Sequence, residues 1–176
     1  MSTRSEAEKS EIKKAFLYQL SEVIFLEHEL YKTFQEVTDQ AHCVDLKLAL
    51  KEHEEEIANQ HKRLKDIAML IDLPSSNTTS WPVFAVFSLE LNEIIKEHYN
   101  DPKVRDLVLI AFSRKVKSYE IACYQNLKYL ASLLDLGSVH QLLLESFDEK
   151  QETRALLEEL SQECYKNPVM YPRFGD

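Results

Sequence analysis

Four glutamates interrupt otherwise apolar helical stripes in this chain, and their side chains are the ones best suited to chemistry. The row Phe16, Leu20, Val23, Glu27, Leu30, Phe34, Val37 advances by alternating steps of four and three, which places Glu27 in the middle of a buried face. The row Leu109, Ser113, Val116, Glu120, Cys123, Leu127, Leu130, Leu134 does the same for Glu120. A third row, Leu142, Ser146, Glu149, Thr153, Leu156, Leu160, points Glu149 inward, with Glu152 one turn along. The fourth, Leu46, Leu50, His53, Ile57, Leu64, Ile67, carries His53 on its face and Glu56 with Gln60 or His61 at its edge. A buried glutamate must protonate or find a partner, and four converging at one level call for cations. Two divalent ions, iron or manganese, held by Glu27, Glu56, Glu120 and Glu149 with nitrogen from His53 or His61 and a further oxygen from Glu152, would meet that need. A single ion or none is the other outcome. Such metals would polarise bound peroxide or dioxygen.

These residues must be positioned by long helices. The apolar periodicity and its breaks predict helices over about 6–40, 45–73, 82–99, 102–136 and 138–166. The stretch Leu73-Pro74-Ser75-Ser76-Asn77 stops the second, Trp81-Pro82 opens the third, and Asp101-Pro102 supplies an N-cap and a proline at the first helical position. Gly137 is expected to end the fourth helix with positive φ, and Ser138 to cap the fifth. Four long helices with short connections make a bundle. The roughly thirty residues between the second and fourth, containing the short third helix, suit the single crossover of a ferritin-like fold. The expected class is thus one all-α domain, 1–176: a ferritin-like four-helix bundle with one additional short crossover helix.

Composition narrows the function classes. The 176 residues include only two glycines, which excludes glycine-rich phosphate loops, and 30 acidic residues against 21 basic ones give a net charge of −9. Neither a nucleic acid nor an anionic membrane is the expected partner. With no signal-like apolar segment behind Met1 and no membrane-length run, a cytoplasmic protein is expected. Cys43, Cys123 and Cys164 are odd in number and widely spaced, as expected for reduced packing residues. His53 is followed four positions later by Ile57, so the His-Glu-x-x-His metalloprotease pattern is missing, and no nucleophile with a supporting motif appears. His28, His42, His98 and His140 lie off the core stripes. Phe84, Phe87 and Tyr31 are candidates for a homodimer surface.

The segment Tyr119-Glu120-Ile121-Ala122-Cys123-Tyr124 resembles the hallmark of the YciE/YciF-like ferritin-like bacterial stress proteins, Val-Glu-His-Tyr-Glu-Ile-Ala followed closely by Tyr. Leu26-Glu27-His28-Glu29-Leu30, His53 through Glu56, and Glu149 through Thr153 resemble the family's other helices, so the likeness spans about Phe16 to Leu160. It implies a ferritin-like bundle, often dimeric, in a family with no established reaction. The departures concern charge. Lys117 stands where the family usually has Glu, Ser118 replaces its His, Arg154 replaces a common Asp, and Trp81-Pro82-Val83-Phe84-Ala85 replaces a Cys- and Met-containing segment.

Lys117 lies one turn before Glu120 on the same face and could pair with it in place of a metal. Tyr119, beside Glu120, either fills volume or hydrogen-bonds a carboxylate of the site. Two functions follow from these residues. One is a stress-associated protein with a carboxylate metal site supporting oxidative chemistry. The other is a metal-free structural or interaction bundle in which Lys117 neutralises the core glutamates.

Overall fold

A computed structural model describes residues 5–73, 81–97, 99 and 101–166, with the side chain of residue 165 excepted. These described residues form five helices: α1 (Glu6–Gln40), α2 (Val44–Leu70), α3 (Pro82–Lys96), α4 (Pro102–Leu133) and α5 (Gly137–Lys166). Pro74 to Ser80 and His98 lie outside the described residues.

Helix ends show how the sequence sets these limits. Ser5 caps α1 by accepting from the Glu8 amide at 3.2 Å, and Asp101 caps α4 from the Lys103 amide at 2.8 Å, with Pro102 following. The start of α2 has no side-chain cap of its own. Asp106, fully buried on α4, supplies one from across the bundle. Its two carboxylate oxygens accept the His42 and Cys43 amides at 2.8 and 2.6 Å, putting a negative charge at the positive end of α2.

Two helix ends differ from expectation. Gly137 is the first residue of α5, and the positive φ that ends α4 belongs to Asp135, at 57°. The Leu136 amide reaches back to the Ala131 carbonyl at 3.0 Å, closing a Schellman turn. The same device ends α2, where Asp72 has φ 49° and the Leu73 amide bonds the Ala68 carbonyl at 2.9 Å. Aspartate tolerates the left-handed region well enough to serve where glycine is absent. Ser138 therefore lies inside α5 and does not cap it.

Contacts between helices fix the topology. α1 packs on α2 and α4, and α5 packs on the same two, so α2 and α4 are diagonal; α3 lies against α1 and α4. Gln19 meets Asn126 while His42 meets Asp106, so α1 and α4 run antiparallel. Gln60 meets Lys150 and Glu56 meets Thr153, so α2 and α5 are antiparallel as well. With short turns joining α1 to α2 and α4 to α5, α2 and α4 must point the same way. Only a long connection can return the chain from the end of α2 to the start of α4, and that crossover carries α3. This is the ferritin-like bundle.

The core has two apolar clusters. One gathers Leu30, Phe34, Leu46, Leu50, Phe112, Val116 and Leu157, and the other Phe16, Leu20, Leu64, Leu127, Val139 and Leu143. Between them lies a layer of buried polar side chains.

Candidate functional site

That layer takes one side chain or more from each long helix: Glu27 from α1, His53 and Gln60 from α2, Lys117, Glu120 and Tyr124 from α4, and Lys150 with Thr153 from α5. Lys150 is its centre. Its ammonium has three protons and meets three oxygens, Glu27 Oε1 at 2.7 Å, Glu120 Oε1 at 2.6 Å and Gln60 Oε1 at 2.7 Å. Lys117 Nζ approaches the other Glu120 oxygen to 2.5 Å. The Tyr124 hydroxyl donates to Glu27 Oε1 at 2.9 Å, and its ring lies 4.9 Å from the Lys150 ammonium. Both lysines and both glutamates are shielded from solvent. Two positive and two negative groups leave the layer neutral when all are ionised.

Electrostatics follow from this arrangement. Burial alone would raise the Glu120 carboxyl, yet the Lys117 and Lys150 ammoniums hold it at about 2. Burial would likewise lower Lys150, but Glu120 and Glu27 keep it above the usual lysine value. Burial, with the Lys150 charge adding to it, pulls Lys117 down to about 8 despite its contact with Glu120. Glu27 is raised, chiefly by burial, with Lys150 opposing. Burial and then the Lys117 charge push His53 well below its ordinary value, so the imidazole is neutral. Its Nδ1 lies 3.1 Å from Glu56 Oε2, and its ring meets Phe34 edge to face.

Glu56 and Glu149 stand apart from the buried pair. Their side chains are 37% and 32% exposed. Thr153 donates to Glu56 at 2.8 Å, while Glu149 accepts from Gln60 at 3.0 Å and pairs with Arg63, which also bonds Ser146. Gln60 thus bridges the interior to this rim. Glu152 is exposed on the opposite side of α5. His61 faces His28 across a cavity of about 180 Å³ whose lining also includes Glu27. Tyr119 turns outward from the carboxylates, its hydroxyl accepting from Trp81 Nε1 at 3.0 Å.

Sequence reasoning therefore brought together Glu27, Glu120, Lys117 and, beside them, His53, set Glu56 and His61 at the stripe edge where they stand, and misplaced Glu149 and Glu152. The buried row of α5 is Val139, Leu143, Ser146, Lys150, Thr153, Leu157, Leu160 and Cys164. It shares Ser146, Thr153 and Leu160 with the expected row and exchanges Glu149 for Lys150. The tyrosine that bonds a core carboxylate is Tyr124 and not Tyr119. Phe87, expected on a dimer surface, is buried against Phe112 and Tyr119.

A model of the domain of unknown function DUF892 matches residues 11–169. The chain belongs to the DUF892 family. The chain is similar to protein YciF of Escherichia coli K12, 28% identical over 150 residues that cover 85% of this chain and 90% of YciF. The crystal structure of the E. coli stress protein YciF superposes with a TM-score of 0.78 at 27% identity, covering 89% of this chain and 98% of that one. YcfI from Rhodopseudomonas palustris has the same fold, with a TM-score of 0.76 at 23% identity over 84% of this chain and 92% of the other.

A ferritin-like bundle raises the question of a di-metal centre. Such a centre needs carboxylate oxygens from all four helices open to bridging ions. Here Lys150 lies against one oxygen of Glu27 and one of Glu120, Lys117 lies against the other oxygen of Glu120, and Glu56 and Glu149 are engaged at the rim, which leaves Glu27 Oε2 and His53 Nε2 as the buried donors of this set without a partner. Among the described residues no group of three or more His, Cys, Asp or Glu side chains is gathered to hold a metal ion. The donor set does not fit a di-metal centre. Nor is any described helix long and apolar enough to cross a membrane.

Proposed function

We propose that this protein is a non-catalytic, stress-associated bundle that acts through its surface, with lysine ammoniums serving the charge role that metals serve in carboxylate centres of this fold. The observation that carries the reading is Lys150 Nζ, whose three protons are matched by Glu27, Glu120 and Gln60. The likeness to the E. coli stress protein YciF supports the stress association. A cytoplasmic homodimer is part of the proposal. Val86 and Leu89 support the dimer, since both are exposed on the outer side of α3.

Reconstitution with ferrous iron, manganese and zinc, followed by elemental analysis, tests it. The expected content is below about a tenth of an equivalent of each, because binding would have to displace an ammonium from two carboxylates. One equivalent or more of iron or manganese, lost in a Glu27→Gln variant, would overturn the metal-free reading. Elution as a monomer over the working concentration range would overturn the dimer alone.

A further inference from the structure

A second site lies outside the buried layer, where α1, α4 and the start of α3 enclose a cavity of about 300 Å³. Its walls include Tyr18, Trp81 and Tyr119, together with Glu22 and Cys123. The Tyr18 and Trp81 rings are inclined at 69° with centroids 6.2 Å apart, which makes an aromatic corner. Among the described residues Glu22 is the only charged side chain of the lining, and no Lys or Arg joins it. Its Oε1 is buried without a hydrogen-bond partner. The carboxylate is therefore partly desolvated and has no cation to balance it; burial raises its proton affinity, and a hydrogen bond from the Tyr18 hydroxyl opposes the rise.

We propose that this cavity binds a small organic cation carrying an alkylated ammonium head. Ring faces attract such a cation through their quadrupoles, and a neighbouring carboxylate adds a full opposite charge. The preference for an alkylated head over a bare ammonium follows from the acceptors. The Tyr119 hydroxyl accepts from Trp81 Nε1 at 3.0 Å, and Gln19 Oε1 accepts from Asn126 Nδ2 at 2.5 Å. A primary ammonium would bring three donors, whereas Glu22 Oε1 is the one buried lining oxygen without a partner among the described residues. A methylated head asks for ring faces and one charge. The cavity is separate from the Lys150 layer, and it bears no ligand relation to Glu27 or Glu120.

Trp81 is the only tryptophan in the chain, so its fluorescence reports directly on the aromatic corner. The full-length protein is titrated with choline chloride against a sodium chloride control, and with the neutral isostere in which a tert-butyl group replaces trimethylammonium. Calorimetry supplies a second readout. A saturable response to choline is expected, with the isostere and the Glu22→Gln variant each weaker by about tenfold. Tyr18→Ala should weaken binding similarly, and its exposed position leaves the fold intact. Equal binding of the isostere would make the cavity a simple apolar pocket and overturn the proposal. So would no saturable signal by either readout, or unchanged affinity in both variants.

Discussion

Glu27 and Glu120 on α1 and α4 differ sharply from Glu56 and Glu149 on α2 and α5, although all four break or border apolar helical stripes. The first two are shielded and share a lysine ammonium. The second two are about one-third exposed and are satisfied by Thr153, Gln60 and Arg63. A residue at the centre of a stripe has no route to water and must be neutralised by another buried group. One position off centre, a glutamate can lean outward and keep part of its hydration. The difference between a core ion network and a surface ion pair is thus set by about one residue of helical phase.

The strongest way to break the comparison is to remove the buried cation. Lys150→Met leaves Glu27 and Glu120 facing each other without their shared partner, and a loss of about 3–5 kcal/mol in denaturant unfolding is expected. A loss below about 1 kcal/mol would show that Lys117 suffices alone. Acid titration comes next. Glu120 titrates near 2 when folded against 4.5 as its ordinary value, so the stability it contributes is complete above 4.5 and is lost as pH falls through about 2. Glu27, raised by burial, contributes with the opposite sign. The test is therefore the difference between wild type and Glu120→Gln, whose stability should fall less steeply with acid.

At the alkaline side Lys117 gives a second check of sign. Its folded value of about 8 lies below its ordinary 10.5, so the unfolded chain holds the extra proton between them and stability should rise across that interval. Lys117→Met should abolish the rise. A smaller effect is expected from Tyr124→Phe, which removes one hydrogen bond to Glu27 while Lys150 remains, at about 1 kcal/mol in thermal or chemical unfolding. The smallest belongs to the rim. Arg63→Met should cost no more than about 1 kcal/mol, and added salt should shrink the difference further. A rim effect as large as that of Lys150→Met would erase the distinction between the two pairs.

Much of this could be read from the residues. The stripes of α1 and α2 are buried as their spacing requires, and Asp101-Pro102 starts α4 where a capping aspartate and proline should. The long link between α2 and α4 pointed to the crossover. In α5, by contrast, two rows with the same four-and-three alternation fit the sequence, one through Glu149 and one through Lys150. Hydrophobic periodicity cannot separate rows that share Ser146, Thr153 and Leu160. The discriminating signal was the longer apolar run, in which Val139, Leu143, Leu157 and Cys164 extend the Lys150 row. A lysine gives no core signal of its own, because its stem lets the ammonium reach solvent from many positions. Asp106 was hidden for a different reason. Its role depends on the free amides of a helix start more than sixty residues away, which no local pattern reports.

The polar layer between the two apolar clusters also constrains how the helices can align. Leucine-rich faces are nearly interchangeable from one turn to the next, and a bundle built only from them could slide. Moving α5 by a single turn, about 5.4 Å, would drag Lys150 among leucines and strand Glu27 and Glu120 without it. The buried charges therefore act as a vernier for the bundle: only one setting of α5 against α1, α2 and α4 brings three oxygens around one ammonium.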